Sequence, residues 1–269
     1  MTSADRYLEV DGARLRYRDT GSGPAVVLVH GWTLDLEMWN PQVERLRDRF
    51  RLVRLDRRGH GRSSGVPDSD RDAADLAELC RLLHLHCVAV LGMSQGTRSA
   101  LAFASQAPGT VRALILDGTP DLRPRDARSD IPLAHFQAIL RYQGIAAFRR
   151  EWRSQQTMQL QGRDPAMHEL LSAMLERYDG RDLDDLGAAG ATRPQLDFAS
   201  ITVPVMILNG ESDLDTRSSA ADYLARQLPQ AERHLIGRAG HLPNLDNPDD
   251  YADLCRAFLT RQLVGSAWR

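Results

Sequence analysis

Short apolar, β-branched runs punctuate the chain at Tyr7–Val10, Leu15–Arg18, Ala25–His30, Arg51–Leu55, Cys87–Leu91, Val111–Asp117, Val203–Asn209 and Glu232–Ile236. The first two flank Asp11-Gly12, a two-residue hairpin signal, and predict an antiparallel opening pair. From residue 25 onward the runs are nearly continuous in Val, Leu and Ile, as strands read when helices cover both faces of a parallel sheet. Amphipathic helical patterns separate them at Trp39–Asp48, Arg71–Leu83, Ser94–Gln106, Ser218–Leu228 and Pro248–Leu263. Strand and helix in alternation predict an α/β fold, a mostly parallel sheet of about eight strands flanked by helices.

Between Asp117 and Val203 the alternation stops, and only helical patterns remain, at Pro132–Gln156 and Pro165–Tyr178. A loop of that length without structure of its own is improbable in a compact domain. The expected organisation is a core of residues 1–118 and 201–269 with a helical cap, 119–200, over the carboxyl edge of the sheet, where such sheets bind ligands. Gly187-Ala-Ala-Gly-Ala reads as a flexible joint late in that insertion.

Composition narrows the chemistry. The 269 residues suit one large domain. A net charge of -2, from 34 basic and 36 acidic side chains, provides no field to gather nucleic acid or a membrane surface, which favours small-molecule partners. Every basic residue is arginine, so lysine Schiff-base chemistry, a P-loop lysine and a Ser-Lys dyad are excluded. Cys80, Cys87 and Cys255 are too scattered for a disulfide framework or a C-x-x-C metal site. The N-terminus lacks an apolar h-region and no run approaches the ~18 apolar residues of a membrane span, so a cytoplasmic protein is expected. No heptad pattern or apolar surface stripe announces an oligomer.

The stretch LGMSQG carries the sharpest chemical signal. Ser94 follows a buried strand and opens a helix, the setting in which G-x-S-x-G holds a serine on a strained turn with its hydroxyl exposed at the sheet edge. Gly92 and Gly96 remove Cβ atoms that would collide where strand and helix close together. A serine hydroxyl needs an imidazole as base and an acid to orient it. His241, in GRAGHLPNLDNP, lies in a loop between a strand and a helix, and Asp213, in VPVMILNGESDLD, lies just beyond a strand. Asp215 stands two residues further on, and Asp117, ending the strand in LILDGTP, is the other acid able to reach the imidazole.

The order Ser94, Asp213, His241 is that of the α/β-hydrolase arrangement. From VVLVHGW through LDRRGHGRSS and GMSQG to GESD and GH, the chain resembles the α/β-hydrolase fold superfamily over essentially its full length. HGWTLDLEMWNPQVERL and AGHLPNLDNP are most similar to the branch of 3-oxoadipate enol-lactonases and small esterases. The chain departs from the lactonase pattern at His30-Gly31-Trp32 and at Gln95. The resemblance implies that the backbone amides of Trp32 and Gln95 form an oxyanion hole.

The expected activity is cofactor-free hydrolysis of a small carboxylic ester or lactone through an acyl-enzyme. A carbon–carbon bond hydrolase of the meta-cleavage type or a cofactor-free perhydrolase could use the same triad, and a ligand-binding protein could use the same scaffold. His60 reads as scaffold, and His84 and His86 lack companions for a metal site. His135 and His168 read as exposed helix residues. Phe136, Phe148 and Trp152 fall on helical spacings and read first as packing residues, with Phe136 and Trp152 the candidates to touch substrate.

Overall fold

The computed structural model describes residues 4–68, 70–123, 131–184 and 196–264. Its eight strands are β1 Arg6–Val10, β2 Ala13–Thr20, β3 Ala25–Val29, β4 Arg51–Leu55, β5 Val88–Met93, β6 Val111–Asp117, β7 Val205–Gly210 and β8 Ala231–Ile236. They form one sheet in the order β1-β2-β4-β3-β5-β6-β7-β8. Val10 pairs with Ala13 across the Asp11-Gly12 turn, β2 runs antiparallel to β4, and β3 to β8 are mutually parallel. The Asp213 and His241 loops follow the adjacent strands β7 and β8, two and three places along the sheet from β5, which carries Ser94.

Alternate side chains of the central strands divide between two layers. Val26 and Leu28 of β3, Ala89 and Leu91 of β5, and Met206 and Leu208 of β7 face α1 (Asn40–Leu46) and α10 (Pro248–Leu259), which follows the one-turn α9 (Pro243–Asp246). Val27, Val29, Val88, Val90, Val205 and Ile207 face α2 (Asp72–Leu82), α3 (Gln95–Gln106) and α8 (Asp215–Gln227). Both faces are therefore apolar, the condition for a parallel sheet.

Between β6 and β7 the chain builds α4 (Leu133–Gln143), α5 (Ile145–Ser154), α6 (Pro165–Arg177) and the short α7 (Arg181–Asp184). The continuous pattern at Pro132–Gln156 is interrupted at Gly144, whose φ of 81° ends α4 and lets α5 start in a new direction. α8 starts at Asp215, three residues before its apolar periodicity begins, and a π-turn at Thr260–Val264 replaces the last expected turn of α10. The expected joint at 187–191 lies outside the described residues. No described helix is long and apolar enough to cross a membrane.

The inserted helices share a core with the sheet: Phe136, Phe148, Trp152, Leu171 and Met174 join Trp32, Leu34 and Met38 in one apolar cluster. An ionic contact adds to this. Arg177 at the end of α6 reaches Asp35 Oδ2 at 2.7 Å and Glu37 Oε2 at 2.9 Å. Glu37 is also bound by the buried Arg16, which pairs with Asp56 at 3.2 Å. Burial and the neighbouring Asp35 raise Asp56 to about 6. Removing one partner of such a pair leaves a desolvated charge behind. We expect Arg177→Met to lower stability by about 2 kcal/mol, because Asp35 stays buried without its cation. A urea midpoint equal to that of the wild type would show that α6 is held by its apolar contacts alone.

Candidate active site

The strand-to-helix turn at Ser94 is strained. Its φ of 50° and ψ of −117° lie where a side chain is rarely accommodated. Ser94 N donates to Asp117 O at 2.7 Å and Thr97 Oγ1 to Ser94 O at 2.6 Å, which fixes the turn from both sides. Because of this geometry α3 begins at Gln95, one residue later than its periodicity predicts. The Ser94 side chain makes no cap bond to the helix. The close packing expected of Gly92 and Gly96 is present: a Cβ on Gly96 would come within 2.8 Å of His30 O and meet the β3 backbone.

Asp213 and His241 come together beside it. His241 Nδ1 lies 2.9 Å from Asp213 Oδ1, with both side chains almost fully buried. A carboxylate only accepts, so Nδ1 carries the proton. Burial pushes Asp213 upward, but the charge and hydrogen bond of His241, with Asn209 Nδ2 at 3.0 Å and Leu214 N at 2.8 Å, hold it below its ordinary value. Asp215 instead occupies the first position of α8.

Asp117 sits differently. It is completely buried, and its Oδ2 accepts from Tyr251 Oη at 3.2 Å. Burial first, then the nearby Asp213, push its carboxyl well above the ordinary value, against the lowering effect of Tyr251. Of the two acids, the one held below its ordinary value faces the imidazole, and the one pushed above it faces Tyr251. The imidazole lies directly over Gly118: a Cβ there would stand 2.9 Å from His241 Cε1.

Ser94 and His241 line one cavity of about 250 Å3, counted out to its mouth, with Trp32, Met93, Trp152 and Arg217 among its walls. Gly31 passes so close to Ser94 that a Cβ on it would lie 3.3 Å from the serine Cβ, which brings the Trp32 backbone to the cavity. His30 fixes that loop. Its Nε2 accepts from Arg57 N at 2.9 Å, its Nδ1 donates to Gly31 O at 2.7 Å, and burial, with Arg57 and His60, keeps it neutral. Arg57 also holds Gln95 Oε1 at 3.0 Å while paired to Asp72.

Trp152 belongs to the cavity wall, but Phe136 does not. Phe136 packs behind Trp152 with ring centres 5.2 Å apart, fully buried, so its role is to brace the wall rather than touch its contents. His60 is buried against Arg58 O, and His135 and His168 are exposed.

Several further residues organise the site, though no role for them could be read from the sequence. Asp182 of α7 accepts from the Trp32 indole and from Tyr178 Oη. Thr33, at a φ of 63° unusual for a β-branched residue, accepts from Trp152 Nε1 at 2.7 Å. Asp246 binds Gly240 N at 2.7 Å and Gly162 N at 2.9 Å, tying the His241 loop to the inserted segment. Arg217, in the first turn of α8, lies just before the helical pattern the sequence shows from Ser218, so nothing in the sequence marked it.

Fold and motif order define the class: the chain belongs to the alpha/beta hydrolase family, whose profile spans residues 26–254. Within that family it sits with the small esterases. It is 31% identical over 260 residues to the pimeloyl-acyl-carrier-protein methyl ester esterase of Methylococcus capsulatus, covering 89% of this chain and 96% of the relative. A thermophilic esterase from Thermogutta terrifontis, solved with malate bound, is 29% identical with a TM-score of 0.79 over 97% of this chain and all of its own. The enol-lactonase of Burkholderia xenovorans LB400, 23% identical, shares the fold at a TM-score of 0.79 over 95% of this chain and 100% of its own.

The state of Asp117 is open to measurement. Unfolded, its carboxyl ionises near the ordinary value of about 4; folded, it keeps its proton well above that. Folding therefore takes up a proton in this interval, and the stability contributed by Asp117 is lost as pH rises through it. Urea unfolding between about pH 5 and about pH 8 should show wild type losing stability relative to Asp117→Asn, by at most about 1.4 kcal/mol per pH unit. Parallel curves would mean that the folded carboxyl is ionised.

Proposed function

We propose that this protein is a serine hydrolase that cleaves a carboxylic ester or lactone of a small molecule through an acyl-enzyme. One observation carries the reading. A serine on a strained turn, whose side chain makes no cap bond, lines one cavity with an imidazole whose Nδ1 is engaged by a buried carboxylate.

In this reading Asp213 holds the imidazole so that Nε2 is the nitrogen left for Ser94. His241 takes the Ser94 proton as Oγ attacks the carbonyl, then returns it to the leaving alcohol. Water repeats the sequence to release the acid. The amides of Trp32 and Gln95 receive the oxyanion, and each is worth about 3 kcal/mol at the transition state. Gln95 is the first residue of α3, where unpaired N–H groups and the helix dipole both favour negative charge. No step requires a cofactor.

Residues 119–200 act as a cap over the core formed by 1–118 and 201–269. They contribute Ile131, Trp152, Thr157 and Met158 to the cavity wall and so select substrates by shape. The free thiols of Cys80, Cys87 and Cys255 fit a cytoplasmic setting.

Ser94→Ala should abolish turnover of short-chain ethyl esters and labelling by a fluorophosphonate. Asp213→Asn should lower kcat on the order of 10^4-fold, with the fold retained by circular dichroism. Turnover by Ser94→Ala at the wild-type rate would overturn the assignment.

A further inference from the structure

We propose that the Thr157 hydroxyl selects substrates for this cavity, favouring esters that carry one uncharged hydroxyl or keto oxygen over esters whose chains are wholly apolar. The inference rests on the hydrolase reading of Ser94 and His241 and adds the class of substrate.

Thr157 lies on the single 3-10 turn Gln156–Met158, just after α5, and lines the cavity together with Ser94 and His241. It is 6% exposed, and its Oγ1 has no hydrogen-bond partner among the described residues. A threonine on a helical turn can return its hydroxyl to a carbonyl three or four residues back. Thr157 does not make that bond. Its backbone is held in place on either side: Gln155 N donates to Trp152 O at 3.0 Å, Met158 N to Gln155 O at 2.8 Å and Gln159 N to Gln156 O at 3.1 Å. Further along, Asp246 of the core binds Gly162 N, so this segment is anchored beside the His241 loop.

Apart from the reacting Ser94, the other polar side chains of the wall already have partners. Trp152 Nε1 donates to Thr33 Oγ1, Trp32 Nε1 to Asp182, Arg217 Nη1 to Gly118 O, and His241 Nδ1 to Asp213. Leu34, Met93, Ile131 and Met158 make up the apolar remainder. An alkyl chain laid over the Thr157 hydroxyl would shut it away from water and give it no bond in return, which costs free energy. A substrate oxygen in the same place satisfies it, because a hydroxyl can donate to a carbonyl and can take either role with an alcohol. Such a site discriminates against the analogue that lacks the oxygen, since the protein's own polar group is then left unpaired. The matching function is uncharged: a single neutral hydroxyl cannot replace the hydration of a carboxylate or an ammonium.

The test reads kcat/KM from released acid for three pairs of esters matched in shape: ethyl 3-hydroxybutyrate with ethyl 3-methylbutyrate, ethyl 4-oxopentanoate with ethyl 4-methylpentanoate, and 2-hydroxyethyl butyrate with propyl butyrate. The members of a pair differ in intrinsic reactivity. The quantity compared is therefore the oxygenated-to-apolar ratio in wild type against that in Thr157→Val, which keeps the shape of the side chain and removes its hydroxyl. At least one pair should lose about fivefold or more of its ratio in Thr157→Val, while the urea midpoint stays equal to that of wild type or rises. Thr157→Ser, which keeps the hydroxyl, should keep the ratio. Ratios unchanged in Thr157→Val for all three pairs would overturn the inference. So would a lowered urea midpoint with both members of every pair slowed alike, or a Thr157→Ser protein that behaves as Thr157→Val does. Ser94→Ala separates the two proposals. If it abolishes turnover of the panel, unchanged ratios count against Thr157 alone; turnover that survives it removes the serine hydrolase reading and this inference with it.

Discussion

A chain can turn from a buried strand into a helix at a single residue only if nothing stands between the helix and the sheet. Gly96 meets that condition by resting its Cα against the carbonyls that end β3. The rest of the rim follows from this contact. The helix axis is pressed onto the sheet, Ser94 is left in backbone torsions that cost about 1–3 kcal/mol, and the cost is offset by hydrogen bonds from Ser94 N to Asp117 O and from Thr97 to Ser94 O. The same contact brings the end of β3, and with it Trp32, beside the serine.

Around that turn the charges are sorted by burial. Two carboxylates close to one imidazole could not both ionise in a dry site without large repulsion. Asp213, given donors by His241, Asn209 and Leu214, is held below its ordinary value, while Asp117, given only a phenol, is pushed well above it by burial and by Asp213. The inserted helices are attached to this centre through specific polar contacts as well as apolar packing. Arg177 binds Asp35 and Glu37, Asp182 binds the Trp32 indole, and Asp246 binds Gly162 as well as Gly240. The contacts of Arg177, Asp182 and Gly162 each join a residue of the insertion to the core around the cavity.

Most of the architecture could be read from periodicity. The eight strands, the opening hairpin and the helices between strands left strong signals because each buries one or two faces in a fixed rhythm. The boundaries that shifted did so for local reasons: Gly144 adopted a left-handed torsion that divides a continuous amphipathic pattern, and Ser94 was held out of the helix it precedes. At the site, Ser94, Asp213 and His241 stood in motifs whose spacing reflects the chemistry. The role of Asp182 did not show, because a bond made across more than a hundred residues, as between Asp182 and Trp32, leaves no local pattern; Thr33 and Asp246 lie within the quoted stretches, yet nothing in those stretches marks Trp152 or Gly162 as their partners. Motif order favoured Asp213 over Asp117 as the partner of the histidine, but the physical difference between the two acids, with Asp213 bonded to His241 and Asn209 and Asp117 to Tyr251, lies in contacts that no local pattern shows.

The wall between sheet and insertion is made largely of aromatic rings from both sides. Trp32, from the loop after β3, and Trp152, from α5, cross at 66° with their centres 4.6 Å apart. Two indoles so close share their electronic excitations, and the pair spans the joint between the two parts of the molecule. Native near-ultraviolet dichroism and intrinsic emission therefore carry a label for the position of the inserted helices, built into the chain and requiring no dye.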